Sequence, residues 1–233
     1  MNIPIHGSVA PGLEEVRDAF AENFISDGEV GAALHVIKGG EVLVDLWGGW
    51  TTTDHTTEWQ ADTIVDVYSV GKAILATLLL GLVDRGEVDL DDPIASIWPE
   101  FATGGKQHAT LTHALTHSAG VPAIREVLTD TDLFDWARMT AAIAATDAWF
   151  IPGERLAYHT NTFGHIIGEI VHRVSGVMPG DQLARVTDEL DADFWFGVPK
   201  PLQHRCADVI WDPPNPIVAP SSFDGLEGDA LMN

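Results

Sequence analysis

Residues 66–86 read DVYSVGKAILATLLLGLVDRG. From Ala73 to Val83 there is no charge, and the stretch is predicted to be an apolar helix with Gly86 as its stop. Lys72, one of only four lysines, stands one turn inside its start. On a helix it lies three residues after Ser69 and shares its face. Burying a lysine costs free energy unless something holds it or lowers its pKa. Either Lys72 escapes to solvent, or it is there for Ser69.

Working outward, residues 31–50, GAALHVIKGGEVLVDLWGGW, predict a hairpin, because two β-branched and aromatic runs flank Gly39-Gly40. Before it, Pro11 can open a helix whose apolar positions Leu13, Val16, Phe20 and Phe24 keep helical spacing. After residue 88 comes an acidic, proline-punctuated connection, DLDDPIASIWPEF. TLTHALTHSAGV, LFDWARMTAAIAA and TFGHIIGEIVHRVSG then read as successive helices, with Gly120, Pro152-Gly153 and Gly176 as breakers. The segment 212–233 holds four prolines without periodicity and reads as a surface excursion. Two strands make a marginal sheet, so the pattern anticipates further strands that the chain does not supply.

Composition bounds the function. The 45% hydrophobic content, with eight Trp and nine Phe, indicates a globular core. A net charge of −23 repels phosphates and anionic lipid, which argues against nucleic acid and membranes as partners. A single cysteine, Cys206, allows no internal disulfide and suits a reducing compartment. The start, MNIPIHGSVAPG, has neither the basic nor the apolar region of a signal peptide, and the longest apolar run, 73–83, is too short to span a bilayer. The expectation is a soluble, cytoplasmic protein.

Ser69-Val70-Gly71-Lys72 fits S-x-x-K. A serine hydroxyl is a poor nucleophile, and a lysine one turn along that is held neutral can take its proton. Among eight serines and four lysines the tetrad alone is a weak signal, strengthened by its place at the first turn of an apolar helix. Gly71 either permits a close approach or is drift. Tyr158, one of two tyrosines, precedes the 162–176 helix; it can relay a proton beside a cationic lysine, or serve packing and capping. Thr160 or Asn161 would cap that helix. His113 and His117 are spaced i, i+4 like zinc ligands, but the glutamate of H-E-x-x-H is replaced by Ala114, and helix-surface or loop-anchoring roles are the plainer reading. His6 and His204, the latter beside Cys206, have no organised partners in the sequence. No phosphate loop, dinucleotide fingerprint or C-x-x-C occurs.

Taken in order, VYSVGK, LLGLVDRGEVDLDDPIASIWPEF, LTHALTHSAGVP and PGERLAYHTNTFGHIIGEIVHRVSG resemble the serine β-lactamase/penicillin-binding superfamily, with DADFWFGVP and HRCADVIW fitting its class C β-lactamase-like carboxylesterase branch. The resemblance runs over about residues 8 to 233. It implies a serine β-lactamase-like α+β fold of two regions: an antiparallel sheet with packed helices beside an all-helical region. On that template residues 1–88 begin the α/β domain, 89–210 form a mostly helical domain, and 211–233 lead toward the remainder, leaving the sheet incomplete.

The resemblance also implies roles. Ser69 would be the acylated nucleophile, Lys72 its deprotonating partner, and Tyr158 the tyrosine that exchanges protons with attacking and leaving groups. The lactamases place an asparagine two positions after that tyrosine. Thr160 stands there instead, which favours ester over lactam cleavage. The substrate would be a small-molecule ester, with no metal or organic cofactor. The family's third motif, K-T-G or H-x-G, supplies half of its oxyanion hole, and no such tripeptide follows Tyr158. Losing one such donor typically costs about 10²–10³ in rate. A silent pseudoenzyme is therefore a second expectation. A third is one half of a two-chain enzyme, its open sheet edge covered by a complementing chain or a second copy.

Overall fold

In a computed structural model the described residues are 3–129 and 131–210. The segment 212–233, read above as a surface excursion, lies outside them. Among the described residues the chain divides into two compact units, one of residues 3–66 with 198–210, the other within 67–197.

The first unit is built on a three-stranded antiparallel sheet in which β1 (Ile5–Val9), β3 (Glu41–Gly49) and β2 (Gly31–Lys38) lie in that order. Strands β2 (Gly31–Lys38) and β3 (Glu41–Gly49) form the expected hairpin. Its two-residue turn needs positive φ at both positions, and Gly39 and Gly40 supply 59° and 86°. Val44 and Leu46 alternate on one face of β3 and are buried with Phe20 and Phe24 of α1 (Glu14–Ser26).

Two expectations are corrected in this unit. Strand β1 (Ile5–Val9) pairs with β3 from Ile5↔Gly48 to Val9↔Val44, so the chain carries more than the hairpin's two strands. Helix α1 starts at Glu14, not at Pro11, because the Leu13 N–H turns back to the Ala10 carbonyl at 3.1 Å. Arg17 of α1 then donates to the Gly7 and Ile5 carbonyls at 3.1 and 3.2 Å, tying helix to strand. Further along, the Ile64 N–H reaches the Arg205 carbonyl and the Ala207 N–H the Ile64 carbonyl, fixing Cys206 in a parallel bridge beside Ile64.

The second unit is helical. Helix α2 (Val70–Asp84) presents Leu75, Leu79 and Leu82 to Ile166, Ile167, Ile170 and Val171 of α6 (Thr162–Ser175) in one buried core. Each fully buried aliphatic side chain there contributes roughly 1.5–3 kcal/mol. Gly86, at φ 71°, closes α2: its N–H and that of Glu87 return to the Val83 and Leu82 carbonyls. Short helices α3 (Ile94–Ile97) and α4 (Leu111–Leu115) bring Ile94 and Leu111 into the same core, and α5 (Trp136–Ala145) adds Ile143.

Helix α4 ends well before the predicted TLTHALTHSAGV helix would. Its chain breaks at His117, whose φ is 59°. Helix α7 (Pro179–Leu190), with Pro179 at its first position, was not anticipated. Among the described residues no helix is long and apolar enough to cross a membrane.

Candidate active site

Ser69 occupies the position just before α2, where a serine ordinarily caps the helix through its hydroxyl. Here its backbone is already helical (φ −69°, ψ −7°) and the side chain makes no capping bond. The preceding residue, Tyr68, sits at φ 47°, a left-handed conformation that a side chain adopts only at some cost. The following N–H groups of Val70, Gly71 and Lys72 are committed to the carbonyls of Val67, Tyr68 and Ser69, and the Ser69 N–H is not one of these. The Ser69 hydroxyl is thereby left for other partners, and Lys72 Nζ donates to Ser69 Oγ at 3.1 Å.

Lys72 is partly buried, and its ammonium lies 5.0 Å from the centre of the Tyr158 ring and 6.0 Å from that of Phe163. Gly71 admits a close neighbour: a Cβ there would stand 3.3 Å from Phe196 Cε1. Of the two readings of this glycine, close approach is the one the geometry supports.

Tyr158 reaches the same point from the segment before α6. Its phenol is held below its ordinary value of 10.0, first by the hydrogen bond with Ser69 and then by the hydrogen bond and charge of Lys72, with desolvation acting the other way. The side chain is 52% exposed, so it is not core packing. Nor does either neighbour cap α6 as expected: Asn161 holds the capping position without a side-chain bond. Thr162 Oγ1 instead donates to the Val121 carbonyl at 2.6 Å. Ser69, Lys72 and Tyr158 are thus brought together. Lys72 is not directed simply to solvent.

The histidines separate. His113 Nδ1 accepts the Thr110 N–H while Thr110 Oγ1 accepts the His113 N–H, a reciprocal cap of α4. His117 faces away from that cap and packs on Tyr158, with ring centres 4.6 Å apart. Among the described residues no three His, Cys, Asp or Glu side chains gather as a metal site would require. His6 lies 3.8 Å from Glu58 at an exposed position, and His204 Nδ1 meets the Pro201 carbonyl at 2.8 Å.

His159 is given no role by the sequence. Only 1% exposed, it accepts the Val121 N–H at Nε2 and donates from Nδ1 to the Ala157 carbonyl. Burial drives its pKa down to about 4, helped by His117 and opposed by the Ala157 bond. The sequence held no local signal for it, because its partners Val121 and His117 belong to a distant segment.

The family described as Beta-lactamase matches residues 16–229. The Esterase/beta-lactamase LipL of Mycobacterium tuberculosis (strain ATCC 25618 / H37Rv) is 34% identical over 175 residues, 74% of this chain and 40% of that protein. Esterase EstB of Burkholderia gladioli is 29% identical over 180 residues, 70% of this chain and 44% of that protein. A crystal structure of a family VIII carboxylesterase superposes with a TM-score of 0.82 at 38% identity, over 89% of this chain and 57% of that one. The chain therefore spans less than half the length of these two curated relatives.

Proposed function

From the premise that the chain belongs to the beta-lactamase family, we propose that it carries the acylation centre of a serine hydrolase acting on carboxylic esters. One observation carries the reading: Lys72 Nζ donates to the Ser69 hydroxyl at 3.1 Å and lies 5.0 Å from the centre of the Tyr158 ring, whose phenol value Ser69 and Lys72 lower. Ser69 Oγ attacks the ester carbonyl and its proton passes to the Lys72–Tyr158 pair. The same pair returns a proton to the departing alkoxide, leaving an acyl-serine and a free alcohol. Water then attacks the acyl carbon, releasing the acid and restoring the Ser69 hydroxyl. The lowered phenol value of Tyr158 supports its part, since a base is more effective when more of it is ionised near the working pH. The names of the relatives LipL, EstB and the carboxylesterase support an ester rather than a lactam as the main substrate.

The test is labelling of the purified 233-residue chain with a fluorophosphonate, read by intact mass. One adduct per chain that vanishes in Ser69→Ala is the expected result. A folded wild-type chain that takes no label sinks the reading for this polypeptide alone.

A second reading is favoured by the sheet. Its order leaves the outer edges of β1 and β2 without a strand partner among the described residues, so a second chain can add a strand there. On that reading the label appears only when such a chain, or a second copy, is bound. Sedimentation of the chain across concentrations separates self-pairing from the need for a different partner.

A further inference from the structure

The segment that carries Tyr158 is gripped from one residue. The Ala157 N–H donates to the His117 carbonyl at 3.0 Å, and the His159 N–H donates to His117 Nδ1 at 3.1 Å. His117 therefore binds the backbone on both sides of Tyr158, with main chain on one side and ring on the other. The imidazole also lies against the phenol, 4.6 Å between ring centres, and against Phe163 of α6 at 5.0 Å. Its left-handed backbone, φ 59°, is unusual for a residue with a side chain and turns the ring back toward the 157–159 segment.

We propose that His117 is the positioning residue of this site, holding the Tyr158 phenol on Ser69 and Lys72 through a two-sided backbone grip. The proposal deepens the serine-hydrolase reading and rests on it for its catalytic meaning. A phenol 52% exposed has little packing of its own to fix it, so its direction depends on the backbone that bears it. The grip also fixes a tautomer. To accept the His159 N–H, Nδ1 of His117 must be unprotonated, which leaves the proton on Nε2. The titratable groups that face it are Lys72 from α2, and Tyr158 and His159 from the segment before α6. Burial first, and the Lys72 charge second, hold its pKa below the ordinary histidine value, so the accepting form is the one present at neutral pH.

The test reads the phenol rather than turnover. The chain has two tyrosines, so ¹³Cζ-tyrosine labelling gives two resonances, assigned with Tyr158→Phe. In the wild type the Tyr158 resonance titrates below the ordinary phenol value. His117→Asn preserves that depression, because asparagine Oδ1 takes the place of Nδ1 as acceptor and asparagine tolerates positive φ. His117→Ala and His117→Phe, which offer no acceptor, return the midpoint to the ordinary value. A depression that survives in Ala and Phe, or is lost in a folded Asn variant, overturns the proposal. Should Ala and Phe fail to fold, the wild type alone decides: a scalar coupling across the hydrogen bond between the His159 amide nitrogen and His117 Nδ1 is expected, and its absence overturns the grip. The two readings fail separately. Missing fluorophosphonate label with an intact, His117-dependent Tyr158 shift removes the hydrolase, whereas full label with a His117-independent shift removes only the positioning role.

Discussion

Two lysines of the helical unit stand at opposite ends of helices and show two ways of holding a cation. Lys106 is fully buried. Its ammonium donates to the Ala144 carbonyl at 3.1 Å and to that of Thr146, at the C-terminal end of α5, with the Phe101 ring centre 5.3 Å away. Those carbonyls have no partner inside the helix, and a cation suits that end of the helix. Burial pushes the Lys106 pKa down, and Asp147 pulls it partly back. Lys72 stands instead in the first turn of α2, partly exposed, with a hydroxyl as its hydrogen-bonded partner. The difference teaches that burial alone does not mark chemistry. Lys106 is spent on backbone carbonyls, whereas Lys72 is bonded to a serine hydroxyl and lies beside a phenol.

The largest effect separates the two directly. Ser69→Ala removes fluorophosphonate labelling altogether, and Lys72→Met slows it by roughly 10²–10⁴-fold, the usual worth of a positioned general base. Lys106→Met leaves the labelling rate of the folded chain unchanged. Wild-type labelling in Lys72→Met would break the comparison from its catalytic side.

The structural side comes next. Lys106→Met keeps the volume but strands the Thr146 carbonyl, while that of Ala144 keeps the Thr103 hydroxyl at 2.8 Å, and one unsatisfied buried group costs about 1–3 kcal/mol. A loss of roughly 1–3 kcal/mol in urea-unfolding free energy is expected, whereas Lys72→Met moves it by less than about 1 kcal/mol. Equal losses in the two variants would mean that Lys72 is a structural lysine as well.

The same contrast recurs in Tyr158 and His159, adjacent in sequence, one at the site and one in the core. His159 falls from 6.5 to about 4 on folding, so between those values the unfolded chain binds more protons than the folded one. Its contribution is fully present above pH 6.5 and is lost as pH falls toward 4. Between pH 6.5 and 5 the loss amounts to about 2 kcal/mol. His159→Gln, which can still accept the Val121 N–H, is expected to flatten that part of the pH–stability curve relative to wild type, as measured by urea melts at each pH. A slope identical in both proteins would show that His159 is not the titrating group.

Legibility in the sequence followed the range of the interactions. Helix α2 and the β2–β3 hairpin were readable because a charge-free run and a Gly-Gly pair act locally. The convergence of Ser69 and Lys72 was readable for the same reason, three residues apart. Strand β1 was not. Its IHGSV carries Gly7 at φ 88°, where a Cβ would lie 1.9 Å from the Asp45 carbonyl oxygen, so the strand makes sense only once β3 is beside it. His113 and His117 share helical spacing, but the helix ends at Leu115 and His117 itself is left-handed, and its partners lie beyond residue 156. Lys106 carried no sequence signal at all, since the carbonyls it serves belong to residues 144 and 146. The loop-anchoring reading of His117 was available, but not the loop it anchors.

The smallest expected effect tests how closely the Lys72 end of α2 is built. Gly71→Ala adds a methyl that meets Phe196 Cε1 at 3.3 Å, tighter than ordinary contact. Against that strain, alanine gains up to about 1 kcal/mol of helix propensity over glycine. Phe196 is a side chain rather than backbone, partly buried against the core and edge-on to Phe194 at 6.3 Å, so it can yield by a few tenths of an ångström. The net change in unfolding free energy is expected to stay within about 1 kcal/mol. In a Phe196→Leu background the same substitution becomes the more favourable of the two, and that coupling is the quantity to measure by a double-mutant cycle. Zero coupling would mean that the ring does not restrict this position. A large loss of Ser69 labelling with no loss of stability would mean instead that the first turn of α2 is set by Phe196, and that the 3.1 Å approach of Lys72 to Ser69 depends on it.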